Sequence, residues 1–133
     1  MSSSKPRIVI YGVGQYGSHL ARFAVQKGWP IVAAFNRAGE KVGRDLGRVI
    51  GLDRDLGVIV QDCETADYAA LRGKADIGLV AQTNLLSVNL PAYRRLMNAG
   101  LNVGCHGSES YYPRGCNAAA AEEIDTLAKN NGV

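Results

Sequence analysis

The stretch of sequence that decides the fold is residues 7–17, which read RIVIYGVGQYG. Its first half is a short apolar run rich in Ile and Val, the pattern of a strand that is buried on both faces. Its second half has three glycines, and a helical pattern begins among them. There Gly12 allows a tight turn, Gly14 allows a pyrophosphate to approach the backbone, and Gly17 allows helix and strand to pack closely. Glycines kept only for tight packing are the simpler alternative.

Strand and helix patterns alternate along the rest of the chain. Short apolar runs predict strands at residues 7–11, 31–35, 57–61, 77–81 and 101–105. Amphipathic spacing predicts helices at residues 16–27, 39–50, 66–71, 88–98 and 116–131. The second helix is weakened by its three glycines. Because strands that alternate with helices pair in parallel, the sequence predicts an α/β fold, a Rossmann-type doubly wound parallel sheet of at least five strands with helices on both faces.

Composition narrows the class of protein. The chain has 133 residues and a net charge of +3, since 15 Lys and Arg stand against 12 Asp and Glu. A charge this small and dispersed predicts neither a nucleic-acid partner nor a membrane partner. The apolar runs are far shorter than the roughly 20 residues of a membrane span, and no secretory signal precedes the first strand. A cytoplasmic location is expected. Three cysteines without a Cys-x-x-Cys pair predict reduced thiols and no metal site.

The predicted domain organisation is simple. Residues 1–6 are expected to form a flexible N-terminal tail, and residues 7–133 a dinucleotide-binding domain. The last helix has its stop signal at Gly132, directly before the end of the printed sequence. We therefore expect a C-terminal substrate domain, the second wall that dinucleotide enzymes need, to be absent from this chain.

Two positions after the second strand are predicted to read the adenine ribose of a dinucleotide. An acidic residue there would pair the ribose hydroxyls of NAD, but the chain has Asn36 and Arg37. The Arg37 guanidinium suits a 2′-phosphate, so the sequence predicts NADP as the preferred cofactor with NAD also possible. Lys41 and Arg44 can add positive charge or belong to a solvated helix face.

Polar residues also follow the fourth and fifth strands. Thr83 and Asn84 lie where open parallel sheets bind ligands, and can contact the nicotinamide ribose. Alternatively, Asn84 or Ser87 caps the next helix. In the loop after the fifth strand, Glu109 is the leading candidate for proton transfer or for holding a cation beside the hydride-exchanging carbon. His106 is a weaker candidate, and Tyr111 and Tyr112 are more typical of packing.

Four stretches of this sequence resemble one enzyme family. They are residues 7–17, 43–47 (GRDLG), 81–84 (AQTN) and, most specifically, 102–109 (NVGCHGSE). The chain resembles the N-terminal nucleotide-binding half of the native NAD(P)-dependent amine dehydrogenases, relatives of 2,4-diaminopentanoate dehydrogenase in the dihydrodipicolinate reductase-like group. The resemblance implies reversible reductive amination, in which a small ketone or aldehyde and ammonia give an amine. It implies that Glu109 is the catalytic glutamate. It assigns cofactor binding to Gly12, Gly14, Gln15, Tyr16, Gly17, Asn36, Arg37, Thr83, Asn84 and His106.

The resemblance also sets expectations about the complete enzyme. Members of the group continue into a substrate-binding and oligomerising domain, so the parent enzyme is expected to be a homodimer and this chain alone to be inactive. Two alternatives stay open. The chain can be a stand-alone dinucleotide-binding module without catalysis, or part of a cyclic imine reductase of the dihydrodipicolinate type.

Overall fold

The computed structural model describes residues 4–133. Half of the predicted tail, residues 1–3, lies outside the described residues. Within residues 4–133, no helix is long and apolar enough to cross a membrane. Five strands alternate with helices: β1 (Ile8–Tyr11), α1 (Gln15–Lys27), β2 (Ile31–Asn36), α2 (Leu46–Val49), β3 (Val60–Asp62), β4 (Ile77–Val80), α3 (Leu86–Asn98), β5 (Asn102–Cys105), α4 (Pro113–Cys116) and α5 (Ala118–Asn131). Two 3₁₀ turns, Tyr68–Leu71 and Ser108–Tyr111, precede β4 and follow β5.

The five strands form one parallel sheet in the order β3-β2-β1-β4-β5. At the centre, Ile10 of β1 pairs with Ala34 of β2 and with Leu79 of β4. The chain therefore proceeds outward from β1 in one direction, then returns to the other side of β1 and proceeds the opposite way. This reversal between β1 and β4 is the topological switch point of a doubly wound sheet, and ligands of such sheets bind at its carboxyl end. The predicted fold class is confirmed.

Both faces of the sheet are covered, and each carries its own apolar core. Alternate residues of β1 separate the two: Ile8 and Ile10 belong to the core beneath α1 and α2, whereas Val9 and Tyr11 belong to the core beneath α3 and α5. All four β1 side chains are at most 2% exposed. A strand buried on both faces is continuously apolar, which is the pattern that the sequence shows.

The predicted helix at residues 39–50 is wrong for most of its length. The chain turns at Gly43, whose φ of +88° is incompatible with a right-handed helix, and α2 begins only at Leu46. The carboxylate of Asp45 instead organises the segment, because it accepts from the backbone N–H groups of Gly47, Leu56 and Gly57, each at 2.8 Å. Desolvation alone would raise the pKa of Asp45, but these backbone donors hold it below its ordinary value.

Three other predicted elements differ from the structure in extent. The third strand is shifted from residues 57–61 to Val60–Asp62, since Gly57 lies in the turn bound by Asp45. The helix at 66–71 is reduced to the 3₁₀ turn at Tyr68–Leu71. The helix at 116–131 is divided, because Asn117 is extended and its side chain caps α5 by accepting from Ala120 N at 3.1 Å. The remaining elements lie within two residues of the predicted bounds.

Gly17 provides a test of how tightly α1 is packed. A Cβ atom at Gly17 would lie 1.8 Å from the carbonyl oxygen of Gly12, whereas a Cβ at Gly14 would meet nothing within 4 Å. We expect Gly17→Ala to lower the free energy of unfolding by about 1–3 kcal/mol, because the clash is with backbone. Gly14→Ala in the same loop should cost under about 1 kcal/mol, a helix N-cap effect. Equal losses in urea denaturation of the two variants would contradict this packing.

Candidate functional site

The glycine turn after β1 is wedged between the two neighbouring strands. Gly12 N donates to Phe35 O of β2 at 2.8 Å, and Gly12 adopts a φ of +101°. On the other side, a Cβ at Gly12 would lie 2.6 Å from the carbonyl oxygen of Ala81, just beyond β4. Only glycine fits this position, because it must adopt positive φ and approach a neighbouring backbone at once. The turn therefore places the first residues of α1 at the carboxyl end of the sheet, and the helix runs away from that end.

The backbone N–H groups at the start of α1 have no side-chain acceptor within the described residues 4–133. Its N-cap residue is Gly14, no side chain caps it, and its first turn contains no acidic residue. Gln15 and Tyr16 are exposed, and the space in front of Gly14 is open. An uncapped helix N-terminus carries a partial positive charge and unsatisfied N–H groups, which together favour a phosphate. Gly14 and the start of α1 thus fit the pyrophosphate of a dinucleotide.

A cleft of about 220 Å³ extends from the glycine turn along the carboxyl end of the sheet. Five residues predicted to bind a cofactor line it: Gly12, Gly14, Asn36, Arg37 and Thr83. It is also lined by Gln82 and Val88, which the sequence reasoning did not select. Their positions, after β4 and at the start of α3, were the only feature of the sequence that could have indicated a place in the cleft. Neither residue type indicates a ligand contact by itself.

The other predicted cofactor residues lie outside that cleft. Gly17 acts through packing, and Gln15 is exposed on α1. Tyr16 and His106 stack ring on ring, with centroids 4.0 Å apart and an interplanar angle of 12°. This pair lines a second cleft of about 210 Å³ between α1 and the β4–β5 side of the sheet. Asn84 lies in the loop between β4 and α3, and its bonds are made to protein.

Asn36 and Arg37 have separate environments although they are adjacent in sequence. The Asn36 Oδ1 atom accepts from Val13 N at 3.0 Å, so this side chain supports the glycine turn while lining the cleft. Arg37 is exposed at the cleft, and its guanidinium makes no hydrogen bond or ion pair with any residue between 4 and 133. Lys41 also reaches the turn, with Nζ donating to Val13 O at 2.6 Å. Arg44 is exposed and lines neither cleft.

The loops that follow β4 and β5 are bonded to each other. Asn84 accepts twice: its carbonyl oxygen from Glu109 N at 3.2 Å, and its Oδ1 from Ser108 N at 3.3 Å. The alternative that Asn84 or Ser87 caps α3 is therefore wrong. The N-cap residue is Leu85 and no N-cap side chain bonds to the helix.

Glu109 supplies the missing cap from the neighbouring loop. Its Oε2 accepts from Leu86 N, the first residue of α3, at 2.6 Å. A carboxylate at a helix N-terminus is stabilised both by the N–H donor and by the helix dipole. The side chain is half-buried, and Oε1 has no hydrogen-bond partner within the described residues 4–133. One oxygen is thus fixed and the other is available. Beside it, Tyr111 and Tyr112 are 74% and 70% exposed, which does not match the packing expected for them.

A buried polar cluster beneath these loops was not predicted. Asn89 of α3 is 1% exposed, and its Nδ2 donates to Thr83 O at 2.8 Å. The Tyr93 hydroxyl bonds to Ser110 Oγ at 2.8 Å, and burial, followed by its contact with Cys105, raises the pKa of Tyr93 above its ordinary value. No sequence signal marked these residues, because each bond joins positions brought together only by the fold.

Metal-ligating side chains are dispersed in the structure. Between residues 4 and 133 no three His, Cys, Asp or Glu side chains converge in a way that could hold an ion. Cys63, Cys105 and Cys116 are free thiols.

The strand order, the glycine turn and the uncapped start of α1 define a Rossmann-type domain of the dinucleotide-binding class. Comparison with solved structures adds a nearer likeness. Over 96% of its length the chain is similar to an amine dehydrogenase from Mycobacterium smegmatis, with 35% sequence identity and a TM-score of 0.86. The resemblance found in the sequence is confirmed. The chain spans 37% of the length of that protein.

A more distant structure supports the fold alone. RSP, solved in complex with β-NADH, is 21% identical to the chain with a TM-score of 0.56, over 92% of this chain and 64% of that one. No family model and no curated protein matches the chain.

The contact of Glu109 with α3 predicts a difference between two substitutions. We expect Glu109→Ala to lower the free energy of unfolding by about 1 kcal/mol, because Leu86 N loses its acceptor. Glu109→Gln keeps an acceptor oxygen at the same place and should retain most of that stability. Urea denaturation of the two variants checks this. If both substitutions lower the free energy of unfolding equally, the negative charge of Glu109 rather than its hydrogen bond to Leu86 N stabilises the start of α3.

Proposed function

We propose that this domain binds NAD(P)(H) for the reversible reductive amination of a small ketone or aldehyde. The observation that carries the proposal is the position of Glu109, in the loop that follows β5 at the carboxyl end of the sheet. Its carboxylate accepts a hydrogen bond from the first residue of α3, and the loop that follows β4 lies between it and the glycine turn. The 35% identity to an amine dehydrogenase over nearly the whole chain supports the same reaction class. The chain spans 37% of the length of that relative. We therefore also propose that contacts to the substrate, and a homodimer interface, are made by parts of the enzyme outside this domain.

The cleft supports binding of the adenosine and pyrophosphate portions. The pyrophosphate would lie against Gly14 and the start of α1, where N–H groups are free and no side chain intervenes. Arg37 would meet the adenine ribose from the end of β2. An unpaired guanidinium is suited to bidentate bonding with a phosphate, so we propose NADP as the preferred cofactor and NAD as a weaker one.

In the proposed reaction, ammonia adds to the carbonyl carbon, and the adduct takes up one proton from the medium and loses its hydroxyl as water, which gives a cationic iminium. Gly12, Gly14 and the start of α1 would hold a dinucleotide, whose nicotinamide would exchange hydride with that carbon. Glu109 Oε1 would hold the ammonium or amine through an N–H bond, and its negative charge would stabilise the iminium. In the oxidative direction the same oxygen would take the proton from the substrate ammonium. The bond from Leu86 N to Oε2 keeps the carboxylate in one orientation throughout.

Cofactor preference is tested by calorimetric titration of the chain with NADPH and NADH. We expect NADPH to bind more tightly, and Arg37→Ala to weaken NADPH at least about tenfold while changing NADH little, because hydrogen bonds to a charged group contribute about 1.5–3 kcal/mol. Arg44→Ala, which removes the same charge seven residues further along the chain, is the control. A wild-type chain that binds neither nucleotide would refute the proposed function.

The reaction is tested through Glu109 in a protein that carries this domain together with the proposed substrate domain. Glu109→Gln should lower amine-dependent reduction of NADP⁺ by at least about 100-fold, because general acid–base groups contribute factors of this size, while cofactor affinity stays unchanged. Glu122→Gln, an exposed carboxylate on α5, is the matched control. Retained turnover in Glu109→Gln would exclude this residue as the acid–base group. Cofactor binding without any amine-dependent turnover would support a stand-alone binding module instead.

A further inference from the structure

A single residue of the glycine turn, Val13, is held at both of its backbone polar atoms by side chains from outside the turn. Asn36 Oδ1 accepts from Val13 N at 3.0 Å, and Lys41 Nζ donates to Val13 O at 2.6 Å. Val13 is fully buried, so its backbone N–H and C=O need partners within the protein. Both donor and acceptor of this residue are therefore fixed by groups 23 and 28 positions further along the chain.

The bond from Lys41 has a consequence for Gly14. The Val13 carbonyl and the Gly14 N–H belong to one planar trans peptide, in which the two groups point in opposite directions. An ammonium bonded to the carbonyl side therefore turns the N–H side away from Lys41. Gly14 N–H has no acceptor within residues 4–133, and the space in front of Gly14 is open. A charged donor on the carbonyl also polarises the peptide and strengthens the N–H as a donor.

Lys41 is held in place by the backbone of its own segment. Val42 N donates to Gly39 O at 3.2 Å, Arg44 N donates to Lys41 O at 3.3 Å, and Gly43 N donates to Val60 O of β3 at 2.8 Å. The Lys41 side chain is half-buried, unlike that of Arg44. The ammonium is thus built into the turn and does not belong to a solvated helix face.

We propose that Lys41 is a positioning residue for the dinucleotide pyrophosphate, acting through the Val13–Gly14 peptide that it orients and polarises. This role rests on the proposed binding of NAD(P). It differs from the role proposed for Arg37, which would meet the adenine ribose from the open side of the cleft. Lys41 would therefore strengthen NADH and NADPH binding by the same factor, whereas Arg37 would act on NADPH alone.

The first measurement needs no ligand. In ¹⁵N-labelled chain, Lys41→Met should shift the Gly14 amide resonance, because the partner of the Val13 carbonyl is lost. Arg44→Met removes the same charge from the same segment without touching Val13, so it should leave that resonance in place. In Lys41→Arg, which can still donate to Val13 O, the Gly14 resonance should stay close to its wild-type position. A Gly14 resonance that Lys41→Met does not move would overturn the proposal.

The second measurement is calorimetric titration at fixed ionic strength with NADH, NADPH and adenosine 2′-monophosphate. We expect Lys41→Met to weaken both dinucleotides by the same factor, about tenfold, and to change the monophosphate, which has no pyrophosphate, no more than Arg44→Met does. Arg37→Ala should give the opposite pattern, with losses for NADPH and adenosine 2′-monophosphate.

The outcomes separate this role from the alternatives. A loss confined to NADPH and the monophosphate would make Lys41 a 2′-phosphate ligand and overturn the proposal. So would a loss no larger than that of Arg44→Met, which would show only a change in net charge. If the wild-type chain binds no dinucleotide, the proposed function fails and this role fails with it. Thermal melting of each variant shows that it is folded before titration.

Discussion

The candidate site depends on the close approach of α1 to the turn that follows β1. A Cβ at Gly17 would lie 1.8 Å from the carbonyl oxygen of Gly12, so the helix can take this position only with glycine at its third residue. The approach places the start of α1 beside the carboxyl ends of β1 and β4, at the switch point of the sheet. The cleft that could hold a dinucleotide begins at this backbone contact.

Side chains from other segments then fix the parts of the site that glycines leave free. Asn36 and Lys41 bind the two polar atoms of Val13, and Asp45 organises the segment that follows Lys41. Glycine-rich turns lose much conformational entropy on folding. Hydrogen bonds from β2 and the segment after it, together with the burial of Val13, offset that cost.

At the other end of the cleft, helix stability and the candidate chemistry share one side chain. Glu109 caps α3 from a separate loop, and Asn84 holds that loop through two backbone N–H groups. Within residues 4–133, no other side chain accepts from a backbone N–H of the first turn of α3. The carboxylate is therefore oriented by the fold itself, and this is the pre-organisation that the proposed stabilisation of a cation requires.

The sequence was sufficient for the elements whose signal is local. Continuous apolar runs located β1, β2, β4 and β5, and the glycine spacing located the turn and α1. Where long-range bonds decide, prediction failed: the helix expected at 39–50 gives way to a turn at Gly43 and to the bonds of Asp45, whose acceptor role joins residues up to 12 positions apart. The cap of α3 was assigned to Asn84 or Ser87, because nothing in the sequence relates Glu109 to Leu86 across 23 residues.

The unequal environments of Asn36 and Arg37 bear on how such a domain changes during evolution. Asn36 is part of the scaffold, since its amide oxygen holds the glycine turn, whereas Arg37 bonds to nothing else within residues 4–133. A change of side chain at position 37 therefore breaks no hydrogen bond or ion pair within residues 4–133. Under the cofactor role proposed for Arg37, selection can alter the nucleotide preference of the domain through this one codon, while its neighbour stays under structural constraint.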